Sequence, residues 1–226
     1  MTGTAPLPPI DGLVFDLDGT LADSIEHYYR IACEILELAG APPVSRRRVC
    51  ELMGRGDPEI MRRLFPPDHP DVDATLARIV RERAPAWRAA SPELPPVSGV
   101  VSLLRRLHGR GVHLGIATSS NRAVPCLDSW GVRQLFGAVV GREDVSRRKP
   151  HPEVVLRCLE ALDVDPGTAA YVGDSPIDME AGRAAGVTAI GVLTGVSDRA
   201  ELVAAGAHLV IGSAVEIAAL LPSQWS

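Results

Sequence analysis

Leu13-Val14-Phe15-Asp16-Leu17-Asp18-Gly19-Thr20-Leu21 is the stretch from which the architecture of this chain unfolds. A short apolar run that meets a turn signal predicts a buried strand. Side chains alternate along a strand, so Asp16 and Asp18 are expected to leave on the same side at its C-terminal end. Two carboxylates held together raise one another's pKa unless a cation sits between them. The pair is therefore a candidate for a divalent metal, for acid/base work, or for both. Taken alone, the same pattern also describes a strand that runs into a polar, solvated turn, and only partners elsewhere in the chain can separate the readings.

Five later segments resemble this strand: His113–Thr118, Ala138–Gly141, Ala169–Asp174, Thr188–Val192 and His208–Gly212. Helical patterns lie between them. Val100, Val101, Leu103, Leu104 and Leu107 recur at helical spacing and stop at Gly109 and Gly111, and Val154, Val155, Leu156, Leu159 and Leu162 do the same. Ser175-Pro176 opens another helix that Gly186 closes. Strand alternating with helix predicts an α/β fold, a Rossmann-like, doubly wound parallel sheet. Residues 23–93 break the rhythm and read as helix after helix, with Pro/Gly breaks at 40–43, 66–70 and 92–96. They are expected to form a helical cap inserted into a core made of residues 1–22 and 94–226. Ligands of open α/β sheets bind beyond the carboxyl ends of the strands, so an insertion leaving just after Asp18 would stand over that edge as a lid.

Composition narrows the class. The 226 residues are 46% hydrophobic and 23% charged, which suits a soluble globular enzyme of one large or two unequal domains. A net charge of -5 gives no footing for nucleic acid, and Arg46-Arg47-Arg48 reads as a solvated helix start. No apolar run is long enough to span a bilayer, and Met1–Pro9 lacks a basic-then-apolar leader pattern. Cys33, Cys50, Cys126 and Cys158 are far apart and read as reduced buried thiols, which places the chain in the cytoplasm. Of 23 basic residues only Lys149 is a lysine.

Four strand ends carry polar groups able to act together. They are Asp16 with Asp18, Thr118-Ser119-Ser120, Lys149 after the third strand, and Gly173-Asp174-Ser175 with Asp178 beyond. A hydroxyl, a compact cation and several carboxylates suit phosphoryl transfer. A carboxylate can attack phosphorus, a divalent metal screens carboxylate from phosphate, lysine binds phosphate oxygens, and hydroxyl and backbone N–H groups cradle the developing charge.

In this order the residues resemble the four motifs of the haloacid dehalogenase (HAD) superfamily, in the subgroup with a helical cap after motif one. Phe15–Ser24 is similar to motif one, Thr118 to motif two, Lys149-Pro150 to motif three and Gly173–Asp178 to motif four, and the resemblance spans roughly residues 12 to 220. The chain is most similar to the phosphoglycolate phosphatase and β-phosphoglucomutase branch. The resemblance implies that Asp16 is the nucleophile and that Asp18 protonates the leaving alcohol, then activates water. It implies Mg2+ held by Asp16, the Asp18 carbonyl and Asp174, with Asp178 in a supporting role on a metal-bound water. Thr118 and the Ser119 amide would bind phosphate, and Lys149 would neutralise Asp16 and phosphate together. Ser175-x-x-Asp178 is also a helix-capping pattern, which offers Asp178 a structural role instead. Asn121, Arg122 and, in the Gly54–Pro58 loop, Arg55 are candidates to touch the rest of the substrate; Arg55 could grip a carboxylate or a second phosphate bidentately.

The second aspartate disfavours a dehalogenase, the lysine-free cap disfavours Schiff-base chemistry, and Leu17-Asp18 stands where ion-pump relatives carry Lys-Thr. A sugar-phosphate mutase of this branch would have a residue other than Thr after the glycine and a histidine in the first cap helix. Here Thr20 follows Gly19, and the aligned position falls on Tyr28, with His27 one residue and about 100° away on the helix. The expected function is a Mg2+-dependent phosphatase acting through an aspartyl-phosphate on a small phosphorylated metabolite such as 2-phosphoglycolate, in a monomer or homodimer. The alternatives are a β-phosphoglucomutase-like isomerase and a non-catalytic binding protein on the same fold.

Overall fold

The structure is a computed structural model that describes residues 9–54, 60–90 and 94–220. Six strands, β1 (Gly12–Phe15), β2 (His113–Ala117), β3 (Ala138–Val140), β4 (Ala169–Gly173), β5 (Thr188–Val192) and β6 (Leu209–Ile211), form one sheet in the order β3-β2-β1-β4-β5-β6. Every neighbouring pair is parallel. The alternation expected of β1 is visible in its packing. Leu13 and Phe15 join the apolar cluster on one face, and Val14 joins the cluster on the other. Both faces are covered by helices, which is why these strands read as continuous apolar runs.

On the first face lie α5 (Val100–Gly109) and α6 (Ala123–Ser129), contributing Leu103, Leu104, Leu107 and Leu127. On the second lie α7 (Glu153–Leu162) and α8 (Pro176–Ala185), contributing Val155, Cys158, Leu159 and Ala181. The numbering follows from four further helices inserted between β1 and α5: α1 (Ile25–Leu38), α2 (Arg46–Gly54), α3 (Ile60–Leu64) and α4 (Val72–Ala90). Two short helices are the last among the described residues, α9 (Arg199–Ala204) and α10 (Ile217–Leu220). Strand order reverses between β1 and β4, and the crevice at that switch point is where an open α/β sheet binds ligands.

The inserted helices gather round their own cluster of Ile35, Leu36, Phe65 and Ile79, with Ile31, Met61 and Trp87 against it. Glu34 of α1 accepts hydrogen bonds from Arg83 Nε (2.7 Å) and Trp87 Nε1 (2.8 Å) of α4. Those bonds lie either side of Pro85, which stands inside α4. A mid-helix proline costs a backbone hydrogen bond and strains the preceding turn. Here tertiary anchoring on Glu34 carries the helix through it, beyond Leu76, Ile79 and Val80, where the periodicity is legible. The two connections to the insertion are paired. Asp23 N–H donates to Pro95 O and Val97 N–H to Leu21 O, both at 2.8 Å. No helix among the described residues is long and apolar enough to cross a membrane.

Candidate active site

Asp16 follows β1 directly, and its N–H still bonds Val172 O of β4 at 2.8 Å. The strand ends at Phe15, so the shared direction of Asp16 and Asp18 is not strand alternation. Instead the chain turns. Leu17 O accepts from the N–H groups of Leu21 (2.9 Å) and Ala22 (2.8 Å), which folds Asp18 back over the crevice. Gly19 has φ +71°, and a Cβ there would lie 2.5 Å from Asp174 Oδ2, so the turn needs glycine both for its conformation and for the close approach. Its N–H donates to Ser24 Oγ at 3.1 Å.

Lys149 is 8% exposed and spans the floor of the site. Its Nζ donates to Asp16 Oδ1 (3.0 Å), Asp178 Oδ1 (2.6 Å) and Tyr171 Oη (3.1 Å). Burial pulls the Lys149 pKa down, but Asp16 and Asp178 outweigh it and hold the ammonium charged. Tyr171 anchors the arrangement through its hydroxyl, 2.7 Å from Ala117 O. The Ser175 N–H (3.1 Å) and hydroxyl (2.5 Å) donate to Asp178 Oδ2. Asp178 thus closes a capping box on α8 and fixes the lysine with its other oxygen. The capping role read from the sequence is present, and the same carboxylate also holds Lys149. Both oxygens of Asp178 are thus committed within the protein.

Carboxylate oxygens of Asp16, Asp174 and Asp178 lie within 4.8 Å of one another, all buried. Burial pushes Asp16 up to about 6; Lys149 counters it, and Asp178 and Asp18 push the same way. Burial, then Asp178 and Asp16, raise Asp174 well above the usual carboxylate range. Asp174 Oδ2 accepts from Val196 N–H at 2.8 Å, leaving Oδ1 outside these bonds, as Lys149 leaves Asp16 Oδ2. Four carboxylates, Asp18 included, face one ammonium. Two oxygen donors in a site short of positive charge fit a hard divalent cation such as Mg2+.

Asp16, Asp18, Lys149 and Asp174 line one end of a cavity of about 610 Å³. Thr118, Ser119, Ser120 and Asn121 line it too, and Thr118 Oγ1 accepts from Ser120 N–H at 3.1 Å, which leaves the threonine proton for a ligand. Asp18 faces the cavity with Oδ1 buried and without a hydrogen-bond partner among the described residues. Burial raises its pKa, while the hydroxyls of Ser120, Ser24 and Tyr28 draw it back. Tyr28 of α1 lines the cavity and His27 does not, as the helical offset requires. His151 instead accepts from Glu153 N–H (3.1 Å) at the start of α7, and Arg147 bonds Glu153 through its N–H (2.9 Å) while Arg148 reaches the cavity. Arg55 and the rest of 55–59 lie outside the described residues. Cys50, Cys126 and Cys158 are buried free thiols, whereas Cys33 is only partly covered.

Tyr171 and the loop Thr194-Gly195-Val196 escaped the sequence reading. A tyrosine within an otherwise apolar strand was the available signal, because a buried hydroxyl needs a partner. The loop has a topological signal, since it follows β5, the strand beside that of Asp174. We expect Tyr28→Phe to raise the Asp18 pKa further, since the Tyr28 hydroxyl draws it down; carboxyl titration followed by NMR checks this, and an unaltered titration would separate Tyr28 from Asp18.

Residues 13–192 match the sequence profile of the haloacid dehalogenase-like hydrolases. The chain is 33% identical to a phosphoglycolate phosphatase of Pseudomonas putida over 93% of its own length and 78% of the relative's. It is 34% identical to a phosphoglycolate phosphatase of Chromobacterium violaceum, covering 93% and 96% of the two chains. Its fold matches a crystal structure described as a predicted phosphoglycolate phosphatase from Haemophilus somnus, with a TM-score of 0.79, 19% identity, and 95% and 99% of the chains covered.

Proposed function

The chain belongs to the haloacid dehalogenase-like hydrolases, and from that membership we propose that it is a Mg2+-dependent phosphatase that cleaves a small organic phosphomonoester through an aspartyl-phosphate. The observation that carries this reading is Lys149 tying Asp16 to Asp178 at the floor of a cavity that Asp18 also lines. The names of the curated relatives support a small organic phosphate as substrate.

In this reading Thr118 and the Ser119 backbone hold the phosphoryl oxygens. Asp16, fixed by Lys149, attacks phosphorus; the bond from phosphorus to the alcohol oxygen breaks, and Asp18 gives that oxygen its proton. Asp18, now ionised, takes a proton from water as the water attacks the aspartyl-phosphate, releasing inorganic phosphate and restoring Asp16. Asp16, the Asp18 carbonyl and Asp174 would hold Mg2+, which screens phosphate charge from the carboxylates. Residues 23–93 act as a cap that opens for substrate and closes to exclude bulk water, over a core of 1–22 and 94–226. Tyr28 where the mutase reading needs histidine, and Thr20 after Gly19, favour water over sugar as the final acceptor. A reducing compartment such as the cytoplasm accommodates the free thiols.

Chelation followed by Mg2+ return tests the metal through both activity and melting. EDTA should abolish phosphate release and Mg2+ restore it. The folded Asp16 value of about 6 exceeds its ordinary 3.8. The metal-free fold therefore binds this proton more tightly than the unfolded chain, and the resulting loss of stability is absent below 3.8 and complete above about 6. Asp174, raised in the same direction, adds to it. Mg2+ relieves this penalty, so its stabilising shift in Tm should be larger at about pH 7.5 than at about pH 5. A pH-independent shift, or turnover in EDTA, would remove the metal from this site.

A further inference from the structure

The cavity has two unlike ends. The core supplies carboxylates, hydroxyls and Lys149; the inserted helices supply Ile25, Ile31, Ile35, Met53, Met61 and Trp87, among other apolar side chains. Among the described residues, the only polar side chain the insertion brings to the cavity is Tyr28, whose hydroxyl faces Asp18. Arg142 and Arg148 line the cavity as well, but from the core and in exposed positions, where an anion is held only loosely.

From this asymmetry, and resting on the phosphatase reading above, we infer that the preferred substrate is a phosphomonoester whose alcohol carries an extended apolar body, seated against α1, α2, α3 and α4. A second charge on the leaving group would be buried against hydrocarbon with no described cation from the insertion to meet it, which is costly. A two-carbon acid would also leave most of the apolar wall uncovered. An alkyl or aryl body covers that wall and removes its own surface from water. The phosphate end fixes the reacting group, so the apolar wall acts on which alcohol departs and leaves the chemistry unchanged.

The test is a homologous series of n-alkyl phosphates from ethyl to hexyl, read as kcat/KM with Mg2+ present, beside 2-phosphoglycolate. The alcohols of the series have nearly equal acidity, so intrinsic reactivity is constant and the slope reports the wall. We expect kcat/KM to rise about a hundredfold from ethyl to hexyl phosphate, since buried methylenes each contribute severalfold or more. The 2-phosphoglycolate value should fall at or below that of ethyl phosphate. Ile31→Asn and Met61→Gln, polar substitutions of similar size at half-buried positions, should each flatten the rise. A flat or falling series, a preference for 2-phosphoglycolate, or an undiminished slope in both folded variants would overturn the inference while the phosphatase reading stands. No turnover of any monoester would overturn both.

Discussion

Replacing Asp16 by asparagine is expected to lower kcat for any phosphomonoester by at least about 10⁴-fold, because a neutral amide cannot attack phosphorus. The variant should still fold. Lys149 retains Asp178 and Tyr171, and the asparagine carbonyl can accept the hydrogen bond that Asp16 Oδ1 accepts now. The substitution also removes one buried carboxylate that Asp178 and Asp18 repel. A shift in Tm of no more than about 5 °C would accompany the loss of activity. Rapid acid quenching of the wild type should trap a phosphorylated chain that the variant never forms. A folded variant that keeps kcat within about tenfold of wild type would take the attacking role from Asp16.

The second large effect comes from Gly195→Ala, a change of one methyl group. A Cβ at this position would sit 1.8 Å from Asp174 Oδ2 and 2.3 Å from Asp174 Cβ. The carboxylate tip could swing aside, but Cβ is tied to the backbone, so the loop itself must move. Moving it breaks the bond from Val196 N–H to Asp174 (2.8 Å) and that from Thr194 Oγ1 to Gly19 O (2.6 Å). The first orients a candidate metal ligand, and the second pins the turn that carries Asp18. Loss of supporting bonds of this kind weakens metal binding by about 10–100-fold. Half-saturating Mg2+ should rise by that factor and kcat/KM should fall at least as far. Overpacking should also cost about 1–3 kcal/mol of stability. Wild-type Mg2+ dependence in Gly195→Ala would show that the loop does not position Asp174.

The strands were legible because parallel strands buried on two faces must be apolar throughout and must end in polar turns. The six segments read from periodicity are the six strands of the sheet. The meeting of Asp16, Thr118, Lys149 and Asp174 at one cavity was legible for the same reason, since each follows a strand whose carboxyl end the topology brings to one edge. The geometry inside the turns was not. Asp18 reaches the cavity through a local turn closed by hydrogen bonds to Leu17 O, which two-residue alternation imitates without causing. Val196 acts through its backbone N–H, which every residue but proline possesses, so no side-chain pattern marks it. Tyr171 was hidden by its own apolar neighbours. The passage of α4 through Pro85 was hidden because local propensity opposes it and only Glu34, some fifty residues away, explains it.

The lysine at the floor of the site has one more consequence, which concerns the outside of the molecule. Since Lys149 is the only lysine in the sequence and is buried, every solvent-facing basic side chain that keeps its charge at alkaline pH is a guanidinium. Reagents that acylate side-chain amines therefore find no competing target on the surface. Set apart from reaction at the α-amine, the rate of acylation at Lys149 itself is a clock for one event, the exposure of the buried ammonium of the site to water.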